Sequence, residues 1–101
     1  MGLKITSTLH TSKGDTNEMY LNIDNIMLVK NYKESVRVNK YLNKATRDAN
    51  VNNKCDCYEI QNNYQFDLPT SATTATNIYD VMYTALKAEL TTKGLTVVDE
   101  N

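Results

Sequence analysis

Residues 77–93 hold the one long helical apolar period in the chain, and its width constrains the fold more than any other feature. Ile78, Val81, Met82 and Ala85 fall in one cluster on a helical wheel, and Tyr79, Tyr83, Leu86 and Leu90 fall in a second beside it. Together they cover an arc of roughly 220°, against the roughly 100° stripe of a helix that lies on a single sheet. Only Asp80, Thr84, Lys87 and Thr91 make a purely polar face. A helix this broad either sinks into a groove of its own sheet or turns Tyr79 and Tyr83 to another subunit. Thr74 or Thr76 suits the N-cap, and Gly94 followed by Leu95 reads as a left-handed C-cap with its hydrophobic contact. Glu89 and Lys93 stand four apart and should pair.

The sheet that this helix needs is written upstream. Leu3, Ile5 and Leu9 alternate with polar residues, and Ser12-Lys13-Gly14-Asp15 carries turn chemistry. Met19, Leu21 and Ile23 share one face, after which the apolar phase moves by one residue at Asp24-Asn25, as a bulge or short turn would move it. A third strand spans Ser35–Asn43, with Val36, Val38 and Leu42 alternating against Arg37, Asn39 and Tyr41 and with Lys40 as an exception on the apolar side. Residues 44–54 turn polar and form a loop, with one helical turn over Ala45–Ala49. The cleanest alternation runs from Tyr58 to Leu68 and predicts one long strand, or a hairpin turning at Gln61-Asn62-Asn63, ended by Pro69. Leu95–Val98 reads as a short final strand or an ordered tail before a solvated Asp99-Glu100-Asn101. Strands followed by a helix make a single α+β domain over residues 1–101: an antiparallel sheet or small sandwich of about four to six strands with helix 77–93 packed on it.

Composition supports this and limits the chemistry. Thirteen Asn and thirteen Thr in 101 residues disfavour long helices, because both side chains compete for backbone hydrogen bonds. One histidine and two cysteines cannot supply most catalytic or metal constellations. His10 has no serine elbow beside it and reads as a surface residue. Cys55-Asp56-Cys57 offers two thiols where zinc needs four ligands, and reads as two small residues at a strand start in a reducing compartment. Glycines at 2, 14 and 94 alone exclude a phosphate loop. No catalytic, cofactor or metal residue is therefore assigned. The chain has no secretory leader pattern and no apolar run of spanning length, so a soluble protein made in the cytosol, without membrane contact, is expected.

The net charge of −1 hides a division, since residues 1–50 carry +3 and residues 51–101 carry −4. Lys33, Arg37, Tyr41 and Arg47 sit in the basic stretch 30–54, and basic grooves with aromatic platforms bind single-stranded nucleic acid. The same split also suits head-to-tail contact between identical subunits, which is preferred here because Glu34 and Asp48 interrupt the basic run. The candidate partner contacts are Tyr79, Tyr83, Leu86, Leu90, Arg37 and Tyr41.

The order of elements is a strand from Leu3, the Glu18-Met19-Tyr20-Leu21-Asn22-Ile23 strand, the Tyr41-Leu42-Asn43-Lys44 segment, and the Thr76–Gly94 helix with Leu95–Val98. With its richness in Asn, Lys, Thr and Tyr, the chain resembles the small structural proteins of tailed-bacteriophage virions. The resemblance implies a non-enzymatic accessory capsid, connector or tail component, assembled in the host cytoplasm and in contact with its own copies and other virion proteins. It is a likeness of size, composition and order, and no residue role is carried across.

Overall fold

The computed structural model describes residues 2–27, 34–66 and 78–100. Alternating apolar residues place strands β1 (Gly2–Ile5), β4 (Met19–Met27) and β5 (Glu34–Tyr41) at the centre of a five-stranded sheet, with β6 (Asn63–Phe66) and β7 (Val97–Glu100) at its edges. The order is β6-β5-β4-β1-β7 and every pairing is antiparallel. A second, two-stranded sheet is the hairpin of β2 (Leu9–Thr11) and β3 (Gly14–Thr16). Helix α1 (Lys44–Ala49) follows β5, and α2 (Ile78–Thr92) packs on the sheet before β7. The α+β architecture expected from the sequence is the one observed.

Register sorts the two faces of the sheet. Leu3 opposes Leu21, Ile5 opposes Met19, and Ile23 opposes Val38, so these side chains share one face and bury against Met82, Tyr83, Leu86 and Leu90 of α2. Each fully buried Leu contributes about 1.5–3 kcal/mol by leaving water. Tyr64 of β6 joins the same core. Most of the broad apolar arc of the helix is thus absorbed within the chain, with Ile78 and Val81 packed at its margin and Tyr79 left partly exposed. Gly94 adopts φ 88° and closes α2, while the Leu95 N–H donates to the Leu90 carbonyl at 3.2 Å. Thr74, Thr76 and Asn77 lie outside the described residues, as does Pro69.

The phase shift at Asp24-Asn25 is a bulge inside a single strand. Ile23 pairs with Val38 and Asn25 with Arg37, which leaves Asp24 as the extra residue. Asn43 caps α1 by accepting the Thr46 N–H at 2.8 Å, within the stretch read as a loop with one helical turn.

Several boundaries differ from expectation, and the third strand ends at Tyr41 instead of Asn43, because Asn43 caps α1. The first strand stops at Ile5: Thr6 still donates in register to the Thr96 carbonyl, but the Thr96 N–H goes to the Ser7 hydroxyl instead of returning to the strand, and the ladder ends there. The long alternation from Tyr58 forms a ladder only over Asn63–Phe66. Before that point the backbone turns under side-chain control, with Tyr64 Oη accepting the Gln61 N–H and Lys40 Nζ donating to the Ile60 carbonyl. The last strand extends through Glu100, so Asp99 and Glu100 belong to the sheet edge and not to a solvated end.

Candidate functional site: the second face and the edges of the sheet

The face opposite α2 begins with two tyrosines. Lys4, Tyr20 and Tyr41 stand in register across β1, β4 and β5, followed along β4 and β5 by Asn22 opposite Asn39. Helix α1, with no buried residue of its own, covers this face only in part. The guanidinium of Arg47 lies 4.8 Å from the Tyr20 ring centroid, and Tyr41 donates its hydroxyl to the Val51 carbonyl at 2.7 Å. Burial pushes both phenols up in pKa, against the opposing pull of Arg47. Two depressions flank the covered tyrosines. One, of about 270 Å³, is lined by Lys4, Glu18, Tyr20, Lys44 and Glu100. The other, of about 350 Å³, includes Asn22, Asn39, Tyr41, Val51 and Lys54. Farther along, Arg37 and the bulge residue Asp24 form an ion pair whose shortest contact is 2.6 Å, with both the Nε and NH2 atoms on one carboxylate oxygen.

The residues singled out from the sequence separate into distinct environments. Leu86 and Leu90 have no exposed surface, and Tyr83 is buried with its hydroxyl on the Ile23 N–H at 2.7 Å. These three pack against the chain's own sheet, one of the two placements open to so broad a helix. Tyr79, on the same flank, keeps 40% of its surface exposed. Tyr41 is 1% exposed beneath the loop after α1 and presents no ring on which a base could stack. Arg37 is exposed and ion-paired to Asp24, Arg47 is paired to Asp48 and seated on Tyr20, and Lys33 lies outside the described residues.

Among the described residues the Lys and Arg ion pairs form within each half of the sequence and leave the charge division between the halves uncancelled. Arg37 meets Asp24, Arg47 meets Asp48, Lys93 meets Glu89 at 3.6 Å as expected, and Lys87 meets Asp99 at 3.4 Å. Lys40 is withdrawn into the core side, and Lys4 and Glu100 line one depression. Sequence halves are interleaved in space because β7 returns to pair with β1.

One polar pairing was not foreseen. Glu59 accepts the backbone N–H of His10 on both carboxylate oxygens at 3.1 Å and lies 3.2 Å from His10 Nδ1. The two residues are 49 apart, and in the alternating stretch Glu59 read only as an outward polar position. The pair fastens the β2–β3 hairpin to residues 56–58, alongside the Ser12 to Asp56 and Tyr58 to His10 backbone bonds. Cys55 and Cys57 are free, and Cys57 makes an isolated bridge to Thr11 instead of starting a strand. Among the described residues no group of three His, Cys, Asp or Glu could hold a metal ion, and no helix is long and apolar enough to cross a membrane.

The two edges of the sheet complete the surface. Among the described residues no strand pairs with the outer side of β6 or of β7. Beside β7, Val98 keeps 41% of its surface exposed. No protein-family model matches this chain, and no curated protein or solved structure matches it either.

Proposed function

We propose that this chain is a non-enzymatic structural protein that works in several copies, as an accessory capsid, connector or tail component of a tailed-phage virion. The observation that carries the assembly part is a five-stranded sheet whose two edge strands pair with no further strand among the described residues, one of them carrying an exposed valine. An open edge is a row of backbone donors and acceptors waiting for a strand, and soluble proteins ordinarily cover, bend or charge such rows. Small size, the poor supply of catalytic residue types and the resemblance in composition and element order support the virion setting. The nucleic-acid alternative rests on Lys33, Arg37, Tyr41 and Arg47, and buried Tyr41 and ion-paired Arg37 and Arg47 weigh against it.

Native mass spectrometry with light scattering, from about 1 to 100 µM, tests the assembly reading across the range in which modest interfaces associate. Concentration-dependent oligomers are expected. A strict monomer throughout, combined with salt-sensitive binding to single-stranded oligonucleotides, would overturn it in favour of the alternative.

A further inference from the structure

We infer that β7 is a self-complementary edge at which a second copy of this chain adds antiparallel across a two-fold axis, centred on Val98. This rests on the assembly reading above and names its surface. The hydrogen-bond phase of β7 defines the register. Thr6 donates to the Thr96 carbonyl, and Lys4 opposes Val98, so Thr96, Val98 and Glu100 turn their backbone groups inward to β1. The N–H and C=O groups of Val97 and Asp99 then face outward, since bonding direction alternates along an antiparallel strand.

A two-fold axis perpendicular to the sheet keeps each face on its own side, so only residues of like facing can stand opposite one another. With Val98 opposite Val98 of the second copy, Val97 stands opposite Asp99 of that copy, and the reverse. All four outward groups of each strand are then satisfied by four hydrogen bonds. The central pair is of the non-hydrogen-bonded kind, with Cα atoms about 4.5 Å apart, so the two exposed valines touch. The neighbouring register, centred on Asp99, would set two carboxylates directly opposite each other, and like charges in that position destabilise. Exposed Val98 and the acidic residue beside it therefore select the same alignment. On the helix side of β7, a groove of about 380 Å³ is lined by Leu3, Asp80, Thr84, Lys87 and Asp99, with Lys87 paired to Asp99 at 3.4 Å. Each copy brings an Asp80 and a Lys87 to the same side of a ten-stranded sheet.

The test combines a cross-link with a charge. Val98→Cys is expected to form a covalent dimer under oxidised glutathione, because the paired Cα spacing of about 4.5 Å lies within disulfide range. Asp99→Cys is expected to remain uncross-linked, since in this register its two copies are more than about 7 Å apart. The unaltered chain, with buried Cys55 and half-buried Cys57, is the background control. Val98→Lys is expected to weaken dimerisation at least about tenfold while leaving the far-ultraviolet circular dichroism unchanged, because it places two ammonium groups on the axis. Oligomers that persist in Val98→Lys, with no cross-link in Val98→Cys, would overturn the β7 interface and leave the assembly reading standing. A chain that is monomeric at about 100 µM, with no Val98→Cys dimer, would overturn both.

Discussion

The Tyr83 hydroxyl oxygen lies 2.7 Å from the backbone nitrogen of Ile23 and accepts its N–H, which ties α2 to the central strand one residue before the Asp24 bulge. Leu3 pairs with Leu21, so Ile23 lies beyond the described pairing of β1 with β4, and its N–H goes to the phenol of α2. Tyr83→Phe keeps the ring and removes the acceptor. A buried donor left unpaired costs about 1–3 kcal/mol, so the urea midpoint should fall with its slope unchanged. An unchanged midpoint would mean that water reaches the Ile23 N–H.

Two charged residues occupy opposite ends of the core-facing row of β5, and they are treated differently. Lys40, 3% exposed, donates to the Ile60 carbonyl at 3.3 Å and to the Asn62 side-chain oxygen. Asn62→Ala should cost about 1.5–3 kcal/mol, as expected for a hydrogen bond to a charged group. The same change should cost much less in a Lys40→Met background, and a double-mutant cycle by chemical denaturation reads that difference. Glu34, at the other end, is buried, and neither carboxylate oxygen has a hydrogen-bond partner among the described residues. Glu34→Leu should therefore raise stability by about 1–3 kcal/mol, by removing an unsatisfied group. A loss of stability would show that Glu34 is held by a partner in solution.

How far the sequence revealed this arrangement depended on whether each determinant was local. The Gly94 cap and the Glu89–Lys93 pair are set by residues within a turn of one another and were legible, and the phase shift at Asp24-Asn25 was legible as either a bulge or a short turn. The apparent strand from Tyr58 to Phe66 was not, because its first half is bent by Lys40, Tyr64 and His10, whose contacts periodicity does not register. Tyr58 accordingly stands 89% exposed on what looked like a buried face. Tyr41 read as a contact residue because α1, its cover, is six residues long and has no apolar face to announce that it packs on anything. The final strand was legible as one of two readings of Leu95–Val98, while its extension through Asp99 and Glu100 was not, since its pairing with β1 spans almost the whole chain.

Burial pushes the thiols of Cys55 and Cys57 up in pKa, outweighing a Thr11 hydrogen bond at Cys55 and backbone N–H groups at Cys57. Because the thiolate is the reactive form, both should label slowly with a disulfide reagent at pH 8 in the folded chain and rapidly in denaturant. Half-buried Cys57 should react before buried Cys55, which peptide mapping of partly labelled protein would show. Rapid native labelling of both would contradict the packing of residues 55–57 against the β2–β3 hairpin.

Burial likewise raises the pKa of Tyr20, Tyr41 and Tyr83 above their ordinary value of 10.0. The folded chain thus keeps three protons that the unfolded chain releases near pH 10, so the unfolded state binds fewer protons in that range. Stability then falls as pH rises, with the contribution fully present below the ordinary phenol pKa and lost as pH climbs through the raised values. Urea unfolding from pH 8 to 11 should show a level region followed by a decline. Absorbance at 295 nm should show a group of tyrosines that ionise only as the chain unfolds. Arg47 is the largest opposing cause at both Tyr20 and Tyr41, holding their values down. Arg47→Ala should therefore delay their ionisation to higher pH, even as loss of its seat on the Tyr20 ring lowers stability near neutrality. Ionisation of Tyr20 and Tyr41 at the ordinary value in the folded chain would mean that α1 and the loop after it do not cover this face in solution.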